Sequence, residues 1–115
     1  VLDCHSMSSE IVDANIDIVL SNNLGKSADF IIIDKLKSFF HSYGYKVKIN
    51  IPFIGGFITQ HYGKPINNVH AIQIEINKKV YLSEKSFTVK NRNFNKLKNC
   101  FSDIINYINL NTKEF

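Results

Sequence analysis

Long apolar runs are missing from this chain: no stretch approaches the ~20 consecutive apolar residues that cross a bilayer as a helix. No Lys- or Arg-led apolar segment with a small-residue cleavage site opens it, so no secretory leader is expected and the cytoplasm is the expected compartment. Cysteine is scarce, with Cys4 and Cys100 alone. Two thiols without a paired framework read as reduced, and the lack of any Cys-x-x-Cys excludes a thiolate zinc site. Blocks of like charge are missing too. The net charge is +4, but Lys46, Lys48, Lys64, Lys78, Lys79, Lys96 and Lys98 are scattered, so a nucleic-acid partner is not expected.

Several catalytic signatures are also missing. Gly25-Lys26-Ser27 resembles the end of a phosphate-binding loop, but that pattern needs glycine at position 20, where the chain has Leu20. There is no His-Glu-x-x-His, and His41 and His61 have no partner at ligand spacing. Ser6 and Ser27 lack the Gly-x-Ser-x-Gly elbow, which argues against a serine hydrolase.

What is there suits one globular domain: 115 residues, 44% hydrophobic and 21% charged. Val1 to Ser6 and Ile16 to Leu20 read as strands, with polar, irregular sequence between them. Ser27 is placed to cap a helix whose apolar residues Ile32, Leu36, Phe39 and Tyr43 recur at helical spacing, and Gly44 stops it. Tyr45 to Asn50 alternates as a strand, Pro52 to Gly56 must be loop, and Phe57 to Tyr62 suits a short helical turn. His70 to Asn77 is the cleanest strand, with Ile72, Ile74 and Ile76 on one face and Gln73, Glu75 and Asn77 on the other. Phe94 to Leu110 closes as an amphipathic helix. The order predicts an α/β fold with a mixed, mostly buried sheet and flanking helices.

Three places could carry chemistry. Asp3 and His5 are two apart on a strand and so share a face, where a carboxylate can orient an imidazole; a purely structural histidine is the other reading. Glu75 lies mid-strand among isoleucines. Its face is either that of a sheet edge meeting solvent or the seat of a general base with a raised pKa. Asn50-Ile-Pro-Phe-Ile-Gly-Gly-Phe57 suggests a loop with close backbone approach to a ligand, or a plain surface turn.

Taken together, Asp3-Cys4-His5-Ser6, Gly44-Tyr45, Asn50 to Ile58, Tyr62-Gly63, His70 to Asn77 and Tyr81 resemble the N-formylglutamate amidohydrolases over about Leu2 to Glu84. The resemblance implies a partial zinc-carboxypeptidase-like (phosphorylase/hydrolase-like) fold. It implies His5 as a zinc ligand and Glu75 as the base that takes a proton from a zinc-activated water. Asp3, Ser6, Asn50, Gly55, Gly56 and Gln73 would serve as supporting or substrate-loop residues. The implied reaction hydrolyses the formyl amide of N-formylglutamate, or a related N-acyl amino acid, to formate and the amino acid. The sequence departs from the family where Ile51 and Ile54 replace basic or polar loop residues, and Ser83-Glu84 replaces an acidic pair.

A catalytic zinc usually takes three protein ligands, and the family's other histidine and carboxylate lie upstream of the matched region. With a chemically loaded strand at residue 1, this leads to the expectation of a single truncated domain over 1–115, the C-terminal portion of an amidohydrolase. It would act as part of a larger site with a complementary upstream chain. The alternative is a non-catalytic remnant or binding module.

Overall fold

The computed structural model describes residues 1–111. Its elements are β1 (Leu2–Met7), β2 (Ile18–Ser21), α1 (Phe30–Ser42), β3 (Val47–Ile49), α2 (Phe57–Tyr62), β4 (Ile72–Asn77), a short ribbon of β5 (Leu82–Ser83) with β6 (Thr88–Val89), and α3 (Asn91–Leu110). Four strands form one sheet in the order β1-β4-β2-β3. β1 runs parallel to β4, β4 antiparallel to β2, and β2 parallel to β3, so the sheet is mixed as expected.

Alternation along the strands divides the molecule. Ile18 and Leu20 of β2 and Ile72 and Ile74 of β4 turn to one face, where α1 (Ile32, Ile33, Leu36, Phe40) and α3 (Leu97, Cys100, Ile104) bury them in one core. Both long helices therefore cover the same side. Phe40 is fully buried and meets Tyr45 and Phe101 edge-to-face at centroid distances of 6.3 and 5.6 Å, a favoured aromatic geometry. Phe94, expected on the apolar stripe of α3, is 44% exposed, and Cys100 takes an inward place instead.

Among the described residues, the apolar cluster at Val19 on the second face contains no helical residue. Met7, Ile16, Val12 and Phe53, from the segment after β1 and the loop after β3, pack on it instead. Polar side chains here are buried and bonded: Asn77 is fully buried and donates to Ile16 O at 2.9 Å. The segment after β1 is latched by Glu84, whose carboxylate accepts from Ser8 Oγ at 3.0 Å and Ser9 N at 3.1 Å. Those serine hydrogen bonds, Ser9's foremost, hold the Glu84 carboxyl below its ordinary value.

Two local expectations change. Ser27 does not cap α1; Asp29 is the N-cap residue, in extended backbone, and its carbonyl takes the first helical bonds. The Ser27 hydroxyl donates instead to Ala71 O at 2.8 Å, and Ala71 N returns a bond to Ser27 O at 2.8 Å. This exchange ties the start of β4 to the turn before α1. The third strand is also shorter than the alternation of Tyr45 to Asn50 suggested, because Tyr45 turns into the core and Asn50 leaves the ladder at φ 55°. Gly44 does end α1, in the left-handed region at φ 83°.

Gly63 is buried where α2 meets the Ser27 turn, and a Cβ built there would lie 2.4 Å from Ser27 Cβ and 2.5 Å from Ser27 Cα. The obstacle is partly backbone, so it cannot simply rotate away. Gly63→Ala is expected to lower the unfolding free energy by about 1–3 kcal/mol or more, the usual cost of overpacking. Urea denaturation measures it; an unchanged midpoint would show that the turn is free to shift.

Candidate functional site

The parallel register of β1 and β4 builds the site. It sets Asp3 opposite Gln73 and His5 opposite Glu75. Because side chains alternate, all four point to the face away from the long helices. Asp3 Oδ1 lies 2.9 Å from His5 Nε2, with the aspartate side chain 17% exposed and the histidine 48% exposed. The better-buried carboxylate thus fixes the more accessible ring.

Glu75 is held from the other side. Gln73 Nε2 donates to Glu75 Oε1 at 3.0 Å, and Gln73 Oε1 accepts from Gly56 N at 2.7 Å. The Gly56 N–H can only donate, so it sets the amide of Gln73 with its NH₂ toward the carboxylate. Burial pushes the Glu75 carboxyl above the ordinary carboxylate value. His5 opposes that shift, Asp3 adds to it and the Gln73 bond pulls it down. β4 lies between β1 and β2, Gln73 is buried and Glu75 is half-buried, so this is not the sheet edge meeting solvent that was one of its two sequence readings.

The Gly-Gly loop arrives at Gln73 because its stem is pinned. Asn50 and Asn22 exchange bonds: Asn22 N donates to Asn50 Oδ1 at 3.0 Å and Asn50 Nδ2 to Asn22 Oδ1 at 2.7 Å. Ser21 Oγ donates to Phe53 O at 2.6 Å and Asn23 N to Ile54 O at 2.7 Å. The Ile51–Pro52 peptide is cis. Gly55 adopts φ 113°, and a Cβ there would lie 2.5 Å from Thr59 Oγ1, so two separate constraints call for glycine.

The structure therefore brings together Asp3, His5, Gln73, Glu75 and Gly56. Gly55 adjoins them, and Asn50 acts one step back by holding the loop. Ser6 does not join: one residue past His5, it is turned to the opposite face, level with Ile76. Asn22 was missed by sequence reasoning. It is fully buried and bonds Asn50, Gly25 N and Ala28 O, yet in sequence it is one of two asparagines in a turn. Among the described residues, no group of three or more His, Cys, Asp and Glu could hold a metal. His5 with Asp3 behind it has the chemistry of one ligand with its orienting carboxylate, not of a complete centre.

The N-formylglutamate amidohydrolase family model matches residues 1–82. The chain belongs to the N-formylglutamate amidohydrolase family. Among N-formylglutamate amidohydrolase relatives, the N-formylglutamate deformylase of Pseudomonas aeruginosa is 35% identical over 89 residues, 73% of this chain and 34% of that protein. The N-formylglutamate deformylase of Pseudomonas putida is 34% identical over 87 residues, 71% of this chain and 33% of that protein. The chain thus spans about a third of the length of the curated relatives it matches. The crystal structure of N-formylglutamate amidohydrolase from Ralstonia eutropha JMP134 shares the fold, with TM-score 0.79 at 23% identity over 94% of this chain and 42% of that one.

The raised pKa of Glu75 has a definite consequence for stability. The folded state holds the proton more tightly than the unfolded chain, so stability is full below the unfolded carboxylate pKa and falls as pH rises through the folded value. Glu75→Gln keeps an acceptor for Gln73 and removes the charge. In metal-free protein it is expected to be more stable than the parent at neutral pH, with the difference vanishing below the carboxylate range. Urea midpoints across pH measure this; a variant less stable at neutral pH would show that the ionised carboxylate is favourably held.

Proposed function

We propose that this chain contributes the base and one metal ligand to an amidohydrolase site that cleaves the formyl amide of N-formylglutamate or a related N-acyl amino acid. The observation that carries the reading is the placement of His5, oriented by Asp3, across from Glu75 on one strand face. Family membership and the names of the relatives support the reaction class.

Glu75 suits a general base because its half-buried carboxyl has a raised proton affinity, and proton transfer works best when the base's pKa lies nearer the working pH. It would take a proton from the attacking water and pass it to the amine that leaves as the C–N bond breaks. The Gln73 bond occupies one carboxylate oxygen, Oε1, and leaves the other for that transfer. His5 fits as one ligand of a zinc ion. When bound there, zinc would supply Lewis-acid polarisation of the formyl carbonyl and a lowered pKa for water. Further ligands would come from a complementary upstream segment, so the larger site belongs to this reading. A cytoplasmic setting belongs to it as well.

The second reading is a non-catalytic remnant or binding module. It is favoured by the lack of a three-ligand cluster among the described residues.

Two measurements separate them. Zinc titrated calorimetrically into the chain is expected to bind weakly, and that binding is expected to disappear in His5→Ala; binding that survives the substitution removes His5 from the metal site. In the assembled enzyme, Glu75→Gln is expected to cut kcat for formate release by roughly 10²–10⁴-fold, the usual worth of a positioned base, with zinc affinity unchanged. Undiminished turnover in that variant would contradict the base assignment.

A further inference from the structure

We propose that the outer edge of β1 pairs antiparallel with the same strand of a second copy, on a two-fold axis through Cys4, so that each Asp3 stands opposite the partner's His5. This inference goes beyond the hydrolase reading and does not rest on it.

β1 closes one side of the four-stranded sheet, and among the described residues no strand pairs with its outer side. Val1 O accepts from Ile72 N at 3.0 Å. Bonding residues alternate along a parallel ladder. The N–H and C=O groups of Asp3 and His5 therefore also turn to β4, and those of Leu2, Cys4 and Ser6 turn outward. Cys4, His5 and Ser6 are exposed. Such a row of unpaired donors and acceptors is a template for another strand.

The opposite edge is blunted in the ways that discourage pairing. β3 has three residues, its central one is the exposed Lys48, and Asn50 at φ 55° leaves the ladder. β1 has six residues without Lys, Arg, Pro or Gly, and residues 1–25 contain no Lys or Arg at all.

Side-chain chemistry selects the register. A two-fold axis through Asp3 would set two aspartates directly opposite, and one through His5 two histidines. An axis through Cys4 instead sets Asp3 against the partner's His5 in both halves. It also engages every outward backbone group of the strand, because Leu2 then bonds the partner's Ser6 while Cys4 bonds its own counterpart.

The apolar surface obeys the same axis. Leu2 and Ile105, which is 50% exposed, line one hollow between β1 and α3. Cys4, Ser6 and the exposed Phe94 line another, further along the strand. Rotation about Cys4 brings the first hollow of one copy beside the second hollow of the other, so Ile105 and the partner's Phe94 share one level and lose water together. The contact uses one patch twice, as two-fold dimers do, and adds the partner's Asp3 and His5 to the strand face that carries Glu75.

Sedimentation equilibrium of the full chain is expected to give twice the chain mass, returning to the single mass on dilution. In a mixture of isotope-labelled and unlabelled chains, filtered NMR spectra are expected to show an intermolecular contact between the Asp3 and His5 α-protons, the close non-hydrogen-bonded pair of an antiparallel ladder. Cys4→Lys alters an exposed residue and sets two cations opposite at the axis. It is expected to raise the dimer dissociation constant roughly fivefold or more with the far-UV circular dichroism unchanged. A parent chain that stays monomeric at NMR concentrations overturns the proposal. So does a dimer whose intermolecular contacts lie at β3 or α1, with none between Asp3 and His5. A monomer whose Leu2, Cys4 and Ser6 amides gain exchange protection only on adding the separately expressed upstream portion of a full-length family member also overturns it, and assigns the edge to that segment.

Discussion

Parallel pairing of β1 with β4 is the constraint on which everything else in this chain depends. Strand side chains alternate with period two, so a slip of one residue would turn His5 and Asp3 toward the helices and bring Cys4 to the face that carries Glu75. The register is over-determined. Leu2 belongs to the helical core with Ile72 and Ile74, while Met7 is buried in the cluster under the other face, so a slip would expose one and misplace the other. Hydrophobic sorting on the two sides of a strand thereby fixes the distance between a histidine and a carboxylate about 70 positions apart in sequence.

The second face is built on a different principle from the first. The helical side is a packed apolar core, where each fully buried Ile, Leu or Phe contributes about 1.5–3 kcal/mol. The site side is a hydrogen-bonded scaffold in which Asn22, Asn50, Ser21, Gln73 and Asn77 each satisfy backbone or side-chain partners. Such a network specifies geometry well, because any member left unpaired in a buried place costs more than it contributes when paired. Rigid support from the core and fine positioning from the polar layer together hold Glu75 between Gln73 and His5.

How far this could be read from sequence depended on whether a signal was local. The alternation of Ile72, Ile74 and Ile76, the helical spacing from Ile32 to Tyr43 and the stop at Gly44 were legible because each reports a period or a backbone angle in its own segment. Asp3 and His5 sharing a face followed from the same period. That rule also excludes Ser6 from their face, although the family motif groups it with them. The Ser27 cap was misread because a carbonyl at Ala71, 44 positions on, takes the hydroxyl. Asn22 could not be singled out since its worth lies in Asn50 and Ala28, which no spacing connects to it. The link from Gly56 through Gln73 to Glu75 was legible only as three separate motif residues. Their order in space comes from the loop folding back over the sheet.

The account's central claim is the register itself, and NMR tests it most directly. In the isotope-labelled chain, nuclear Overhauser contacts are predicted between the His5 ring protons and the side-chain protons of Glu75, together with contacts from Asp3 to Gln73. Contacts from the His5 ring to Ile74 or Ile76 on the helical side, with none to Glu75, would contradict the claim and separate the two groups on which the proposed chemistry rests.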